Sequence, residues 1–155
     1  MELRGKVIFV VSDDAKITHP LREFLLQKRF QVIVFDNPKH ADVYITKSGP
    51  PDAVVVDSSA ADVMCLLPLL KSWARATPVV VLSNIITPEL SRRYAEAGTC
   101  RVVLKTVHFS VEKLVNTLVD ALQSAKEQRA ILQLFKHVSV ANNMMATLVA
   151  RTVNG

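Results

Sequence analysis

The run FVVSDD ends in two adjacent carboxylates, Asp13 and Asp14. Three later runs end in the same manner: PDAVVVD in Asp57, TPVVVLS in Ser83 and CRVVLK in Lys105. Each polar residue follows a short β-branched stretch. If those stretches are strands of one parallel sheet, their ends share one edge, where ligands bind in such sheets. Three close carboxylates repel one another and call for a cation. Hard oxygen donors at an open, hydrated edge suit Mg²⁺. The Ser83 hydroxyl and the Lys105 ammonium beside them suit an anion with several oxygens. A metal, such an anion and a carboxylate nucleophile are what phosphoryl transfer to an aspartate requires. The metal neutralises charge, while lysine and hydroxyl hold the remaining oxygens.

The elements that must position these residues alternate along the chain. Apolar runs at Lys6–Val11, Gln31–Phe35, Ala53–Val56, Pro78–Leu82 and Arg101–Leu104 read as strands. They are near-continuous Val, Ile and Leu, the mark of parallel strands covered on both faces. Helical patterns lie between them. Leu21, Phe24, Leu25 and Leu26 share a face within Thr18–Lys28, with Thr18 as the expected cap and Pro20 in the first turn. Asn37-Pro38 opens a second helix that Gly49 closes. Leu66–Ala76 is a third, with Trp73 either packing against the sheet or lying partly exposed. Thr87-Pro88 opens a fourth that stops at Gly98, and Ser110 caps a long last one. Five strand–helix units of this kind predict a doubly wound α/β sheet.

Composition bounds the rest. The chain has 155 residues, half of them hydrophobic and 21% charged, enough for one globular domain with a real core. No apolar run reaches the roughly 18 residues of a membrane span. The start, MELRGKVIFVVSDD, lacks the pattern of a signal peptide. Cys65 and Cys100 sit in apolar surroundings and read as buried free thiols in a reducing cytoplasm. The formal charge is +5, but only Lys28-Arg29 and Arg92-Arg93 are adjacent basic pairs, so no basic stripe points to nucleic acid. The four glycines form no G-x-G, which argues against a nucleotide-binding sheet. His19, His40, His108 and His137 lack metal-ligand spacing and read as surface residues. Met144-Met145 reads as core or interface.

A lone acid after a strand is usually a solvated loop residue. Two adjacent acids and three further polar strand ends, in this order, resemble the receiver domain of bacterial response regulators in two-component signalling. The segments PDAVVVD, TPVVVLS and AEAGTCRVVLK carry the resemblance, which covers roughly residues 5–125. It implies a five-stranded sheet of order 2-1-3-4-5. It implies that Asp57 accepts a phosphoryl group, from a histidine kinase or phosphotransfer protein. Asp13, Asp14 and Asp57 would hold Mg²⁺ with the backbone carbonyl of Ser59. Ser83 would bond a phosphoryl oxygen and move toward it, and Lys105 would pair with another. The output face would comprise residues 84–98 with the fifth strand. The protein would catalyse its own phosphorylation and dephosphorylation rather than act as a metabolic enzyme.

The sequence departs from that family in four places. After Asp57 the loop is Ser58-Ser59-Ala60-Ala61-Asp62, without the usual Met-Pro pair and glycine. Thr106 follows Lys105 in place of a proline, and a cis bond before it would cost about 3–4 kcal/mol. Val102 stands where a switch aromatic is common. Asn84 stands where a small residue is common, beside the phosphoryl pocket. These departures motivate a second reading, a receiver-like interaction module independent of phosphate. A third, a flavodoxin-like binder of small molecules, lacks its phosphate loop.

Residues 1–125 form the expected receiver domain and 126–155 a helical extension. Ile131, Leu132, Phe135 and Val138 recur at helical spacing, so the last helix is expected to run to about Lys136. Met144, Met145, Leu148 and Val149 fit one face of a further helical stretch. Thirty residues are too few for a common DNA-binding domain. The extension therefore reads as helices packing back on their own domain, as a homodimer or partner surface, or as a linker, with output through an unknown target protein.

Overall fold

The computed structural model describes residues 4–60, 62–98, 101–105 and 109–154, with Ala60 and 146–154 described as backbone. Five strands alternate with five helices. They are β1 (Val7–Val11), α1 (Ala15–Gln27), β2 (Gln31–Phe35), α2 (Pro38–Ser48), β3 (Ala53–Asp57), α3 (Val63–Trp73), β4 (Val79–Ser83), α4 (Pro88–Glu96), β5 (Arg101–Leu104) and α5 (Val111–Asn154). A single 3₁₀ turn, Ser58–Ala60, follows β3. The sheet order is β2-β1-β3-β4-β5 and every pairing is parallel. This is the doubly wound α/β architecture and the strand order expected from the sequence.

The alternation of side chains along each strand builds two cores. On one face Ile8, Val10, Val55, Val80 and Leu82 meet Leu21 and Leu25 of α1 and Leu114 and Leu118 of α5. On the other, Phe9, Val11, Val54, Val56, Val79 and Val81 meet Leu66, Leu70 and Trp73 of α3 and Tyr94 of α4. Buried on both sides, β1, β3 and β4 are rigid rails for the residues at their ends.

Local chemistry sets most boundaries. Asn37 accepts from His40 N–H and Pro38 follows it, opening α2, and Gly49 closes that helix at φ 89°. Thr87 caps α4 through Leu90 N–H, and Ser110 caps α5 through Lys113 N–H. The cap of α1 differs from expectation. It is Asp14, whose Oδ1 accepts from Lys16 N–H at 2.9 Å, and not Thr18. The helix therefore begins at Ala15, and Pro20 falls at its sixth residue, where it leaves the Lys16 carbonyl without a donor. Similarly α3 starts at Val63, capped by Asp62, and tolerates Pro68 inside it.

Trp73 is buried and its indole N–H donates to Asp42 Oδ1 at 3.0 Å. Cys65 corrects the expectation of a buried thiol. It is exposed, because α3 turns Leu66, Leu70 and Trp73 to the sheet and its neighbour away. Cys100 lies outside the described residues. So do Thr106, with the peptide bond before it, and His108. His19, His40 and His137 are exposed. Among the described residues, no helix is long and apolar enough to cross a membrane.

The chain divides into two compact units, Met1–Gln123 and Ser124–Gly155. The second is helical, and α5 reaches Asn154 where the sequence reading stopped it near Lys136. Ile131, Leu134, Phe135, Val138 and Met145 are all exposed on it.

Candidate functional site

Asp57 closes β3, the middle strand, and its register partner on β4 is Leu82, one residue before Ser83. Ser83 in turn pairs with Leu104, one residue before Lys105. Parallel register therefore brings Asp57, Ser83 and Lys105 to the same edge.

At that edge Asp57 is a buried acid, 1% exposed. Its Oδ1 accepts from Lys105 Nζ at 2.7 Å, from Ser59 Oγ at 2.7 Å and from Ser59 N–H at 3.1 Å. Its Oδ2 accepts from Ser12 Oγ at 3.0 Å. Burial opposes ionisation of this carboxyl. The Lys105 ammonium, the Ser59 hydroxyl and amide, and the Ser12 hydroxyl outweigh it and hold the carboxyl below its ordinary range. Asp57 is thus a carboxylate kept charged in the interior by an ammonium and three neutral donors.

The remaining residues singled out in the sequence take different places. Asp13 and Asp14 are exposed at the start of α1. Asp14 is committed to the helix cap, and its N–H donates to Ser12 Oγ at 3.1 Å. Ser83 is buried, but its hydroxyl donates to the Ile85 carbonyl at 2.6 Å rather than to the acid. The fold therefore brings Lys105 and Ser59 onto Asp57 and does not gather three acids around it. Among the described residues, no group of three or more acids, histidines or cysteines stands close enough to hold a metal. The groups offered at the edge, carboxylates and a backbone carbonyl, are the hard oxygens that Mg²⁺ prefers. Asp57 Oδ1 is here occupied by the lysine, so a cation at that oxygen competes with Lys105.

Two residues of the site carried no assigned role in the sequence. Ser12 stands inside FVVSDD and is the member of that run that touches Asp57. It directly follows β1, a strand buried on both faces, and is itself only 3% exposed. Tyr94 lies on the inward face of α4, 1% exposed, and its hydroxyl meets the side chains of Ser58 and Ser83. Burial raises its phenol above the ordinary value, with the two serines acting against that. The helical spacing of Leu90, Tyr94 and Ala97 was the signal available for its inward direction.

No family model matches the chain. Over 124 residues, 76% of its length, it is 30% identical to the sensory/regulatory protein RpfC of Xanthomonas campestris pv. campestris, and the match spans 17% of that relative. Among solved structures it is similar to a CheY-like response regulator receiver domain protein from Methanospirillum hungatei. The TM-score is 0.70 at 16% identity, covering 80% of this chain and 98% of that one. It is also similar to a fusion carrying a trimeric coiled-coil segment of yeast Spc42, at TM-score 0.72 and 17% identity, covering 94% of this chain and 99% of that one. With its 2-1-3-4-5 parallel sheet and its acid, hydroxyl and lysine at three adjoining strand ends, this chain has the fold of the response-regulator receiver domains.

Proposed function

We propose that the chain is a phospho-aspartate switch of two-component signalling, with Asp57 as the acceptor. The observation that carries this is the buried Asp57 carboxylate, charged and paired with Lys105 at the end of the middle strand. Oδ1 has three donors and Oδ2 only Ser12, so Oδ2 keeps a lone pair for attack on phosphorus. As the new P–O bond forms, the donor's bond to phosphorus breaks. Lys105 and Ser59 already stand where they can turn from the carboxylate to the oxygens of the transferred group. Mg²⁺, when bound by Asp13, Asp14, Asp57 and the Ser59 carbonyl, supplies charge neutralisation. A histidine kinase or phosphotransfer protein is the donor and a target protein reads the result, through a shift between two states. The reading fits a cytoplasmic bacterial protein.

The second reading, a phosphate-independent interaction module, draws support from Asp14. Its Oδ1 accepts from Lys16 N–H as the cap of α1, which favours a structural use of this carboxylate.

Intact-mass measurement after incubation with acetyl phosphate, with and without Mg²⁺, separates the two. A Mg²⁺-dependent gain of one phosphoryl group that Asp57→Asn lacks is the expected result. Absence of that gain, together with absence of beryllofluoride binding, establishes the second reading.

The extension is proposed as a homo-oligomer surface. Ile131, Leu134, Val138, Ala141 and Met145 alternate at spacings of three and four, a coiled-coil seam. Lys136 is the only lysine, arginine or acid between Arg129 and Arg151, and its place in the repeat is opposite that seam. The similar fusion carries a trimeric coiled coil in its own right.

A further inference from the structure

Two helices follow the site strands directly: α3 comes after Asp57, and α4 after Ser83. Between them lies an open groove of about 520 Å³. Its floor is apolar, formed by Leu67, Pro68 and Ala97, with Met64 59% exposed at one end. Its walls carry three cations, Lys71, Arg92 and Arg93, against one carboxylate, Glu96.

These cations are available. Arg92 donates to Glu96 at 3.1 Å and Arg93 to Glu89 at 3.0 Å, both pairs within one exposed helix. Exposed pairs of this spacing contribute little and exchange readily for a better partner. Lys71 has no carboxylate partner among the described residues. Arg93 also reaches across the groove, with Nη1 3.1 Å from Met64 Sδ. Methionine adapts to varied apolar side chains, and guanidinium forks bind carboxylates in pairs of hydrogen bonds.

We propose that the α3–α4 groove docks an acidic amphipathic helix of a partner protein, its apolar stripe on Leu67, Pro68 and Met64 and its carboxylates on Lys71, Arg92 and Arg93. Charge complementarity selects this occupant. A basic segment meets Lys71 on one wall and the two arginines on the other, and a purely apolar one leaves Lys71 without a carboxylate and gives the exposed arginine pairs nothing better to exchange for. An extended β-strand is not served, because the walls are helices and offer no free strand edge.

The groove stands without the phosphoryl reading, and only its regulation rests on that reading. Tyr94 links the two. It follows Arg93 in the chain and is buried against the sheet on the α4 side, where Ser58 and Ser83 beside Asp57 act on its phenol. On that reading, a displacement of either serine would be passed through Tyr94 to α4 and so to the wall of the groove.

The test uses the full chain and a fluorescein-labelled amphipathic peptide of leucines and glutamates at helical spacing, read by anisotropy. A matching peptide with lysines for glutamates is the control. The glutamate peptide is expected to bind, with amide chemical-shift changes on α3 and α4. It should bind at least about tenfold more weakly to the Lys71→Glu/Arg92→Glu variant, whose circular dichroism is unchanged. Failure to bind wild type, equal binding to the variant or to the lysine peptide, or shift changes confined to 131–145, overturns the groove. Beryllofluoride should change the affinity in wild type and not in Tyr94→Phe. An unchanged affinity in wild type that demonstrably binds beryllofluoride overturns the link through Tyr94. Failure to bind beryllofluoride at all tells against the phosphoryl reading, while the peptide result judges the groove separately.

Discussion

Lys105 Nζ lies 2.7 Å from Asp57 Oδ1, with the two side chains 13% and 0% exposed. They come from strand ends 48 residues apart. This is a charged pair at the floor of a sheet edge, where solvent screening is weak and the loss of one partner leaves the other stranded.

The first prediction concerns Lys105 and stability. Lys105→Met leaves the Asp57 carboxylate buried with its serine donors alone. The expected cost is about 1–3 kcal/mol in urea unfolding near neutral pH. Asp57→Asn should remove most of that cost when combined with Lys105→Met, because no buried charge is then orphaned. A double-mutant cycle measures the coupling.

The acid limb of stability should belong in part to Asp57. Its carboxyl is held below its ordinary value of 3.8. A depressed carboxyl contributes stability that is complete above the ordinary value and is lost as pH falls through the lower folded-state value. Wild type should therefore lose stability more steeply below about pH 4 than Asp57→Asn does. Parallel acid-limb curves would refute the assignment.

Asp14 should behave first as a helix cap. Asp14→Ala removes the acceptor for Lys16 N–H and should cost about 1 kcal/mol. Asp14→Asn keeps an acceptor and should stay within a few tenths of a kcal/mol of wild type. If Asp14→Asn nonetheless weakens Mg²⁺ binding measured by calorimetry, the carboxylate also serves the metal.

Trp73 ties α3 to α2 through Asp42. Trp73→Phe should cost about 1–3 kcal/mol by removing the indole donor and leaving a gap in the core. Thermal unfolding reads the loss directly.

Cys65 should react with a thiol reagent in the folded protein, without denaturant, since it is exposed on α3. Cys65→Ser should abolish that rapid phase.

Much of the fold was legible in residues that act on their neighbours. β-branched runs marked the strands, and Asn37, Gly49, Thr87 and Ser110 marked helix ends, because a cap or a left-handed turn is decided within four residues. The misplaced start of α1 has the same origin. Thr18 and Asp14 are both competent caps, and the hydrophobic face beginning at Leu21 gave no vote for the earlier turn. The reach of α5 past Lys136 was hidden because Ser139, Asn142 and Asn143 interrupt its apolar pattern without breaking a helix.

Local pattern was enough to place Asp57, Ser83 and Lys105 at strand ends on a shared edge, since every parallel doubly wound order puts the carboxyl ends of its strands there; the order of the strands came from the resemblance to receiver domains. Only the tertiary structure decided which of them touch. Ser12 reaches Asp57 from the end of the neighbouring strand, Lys105 reaches it from two strands away, Asp14 turns to its own helix, and Tyr94 is buried against the sheet from α4. Those choices depend on strand register, helix packing and competition for each lone pair. They are settled over distances between elements of the chain that no local pattern encodes.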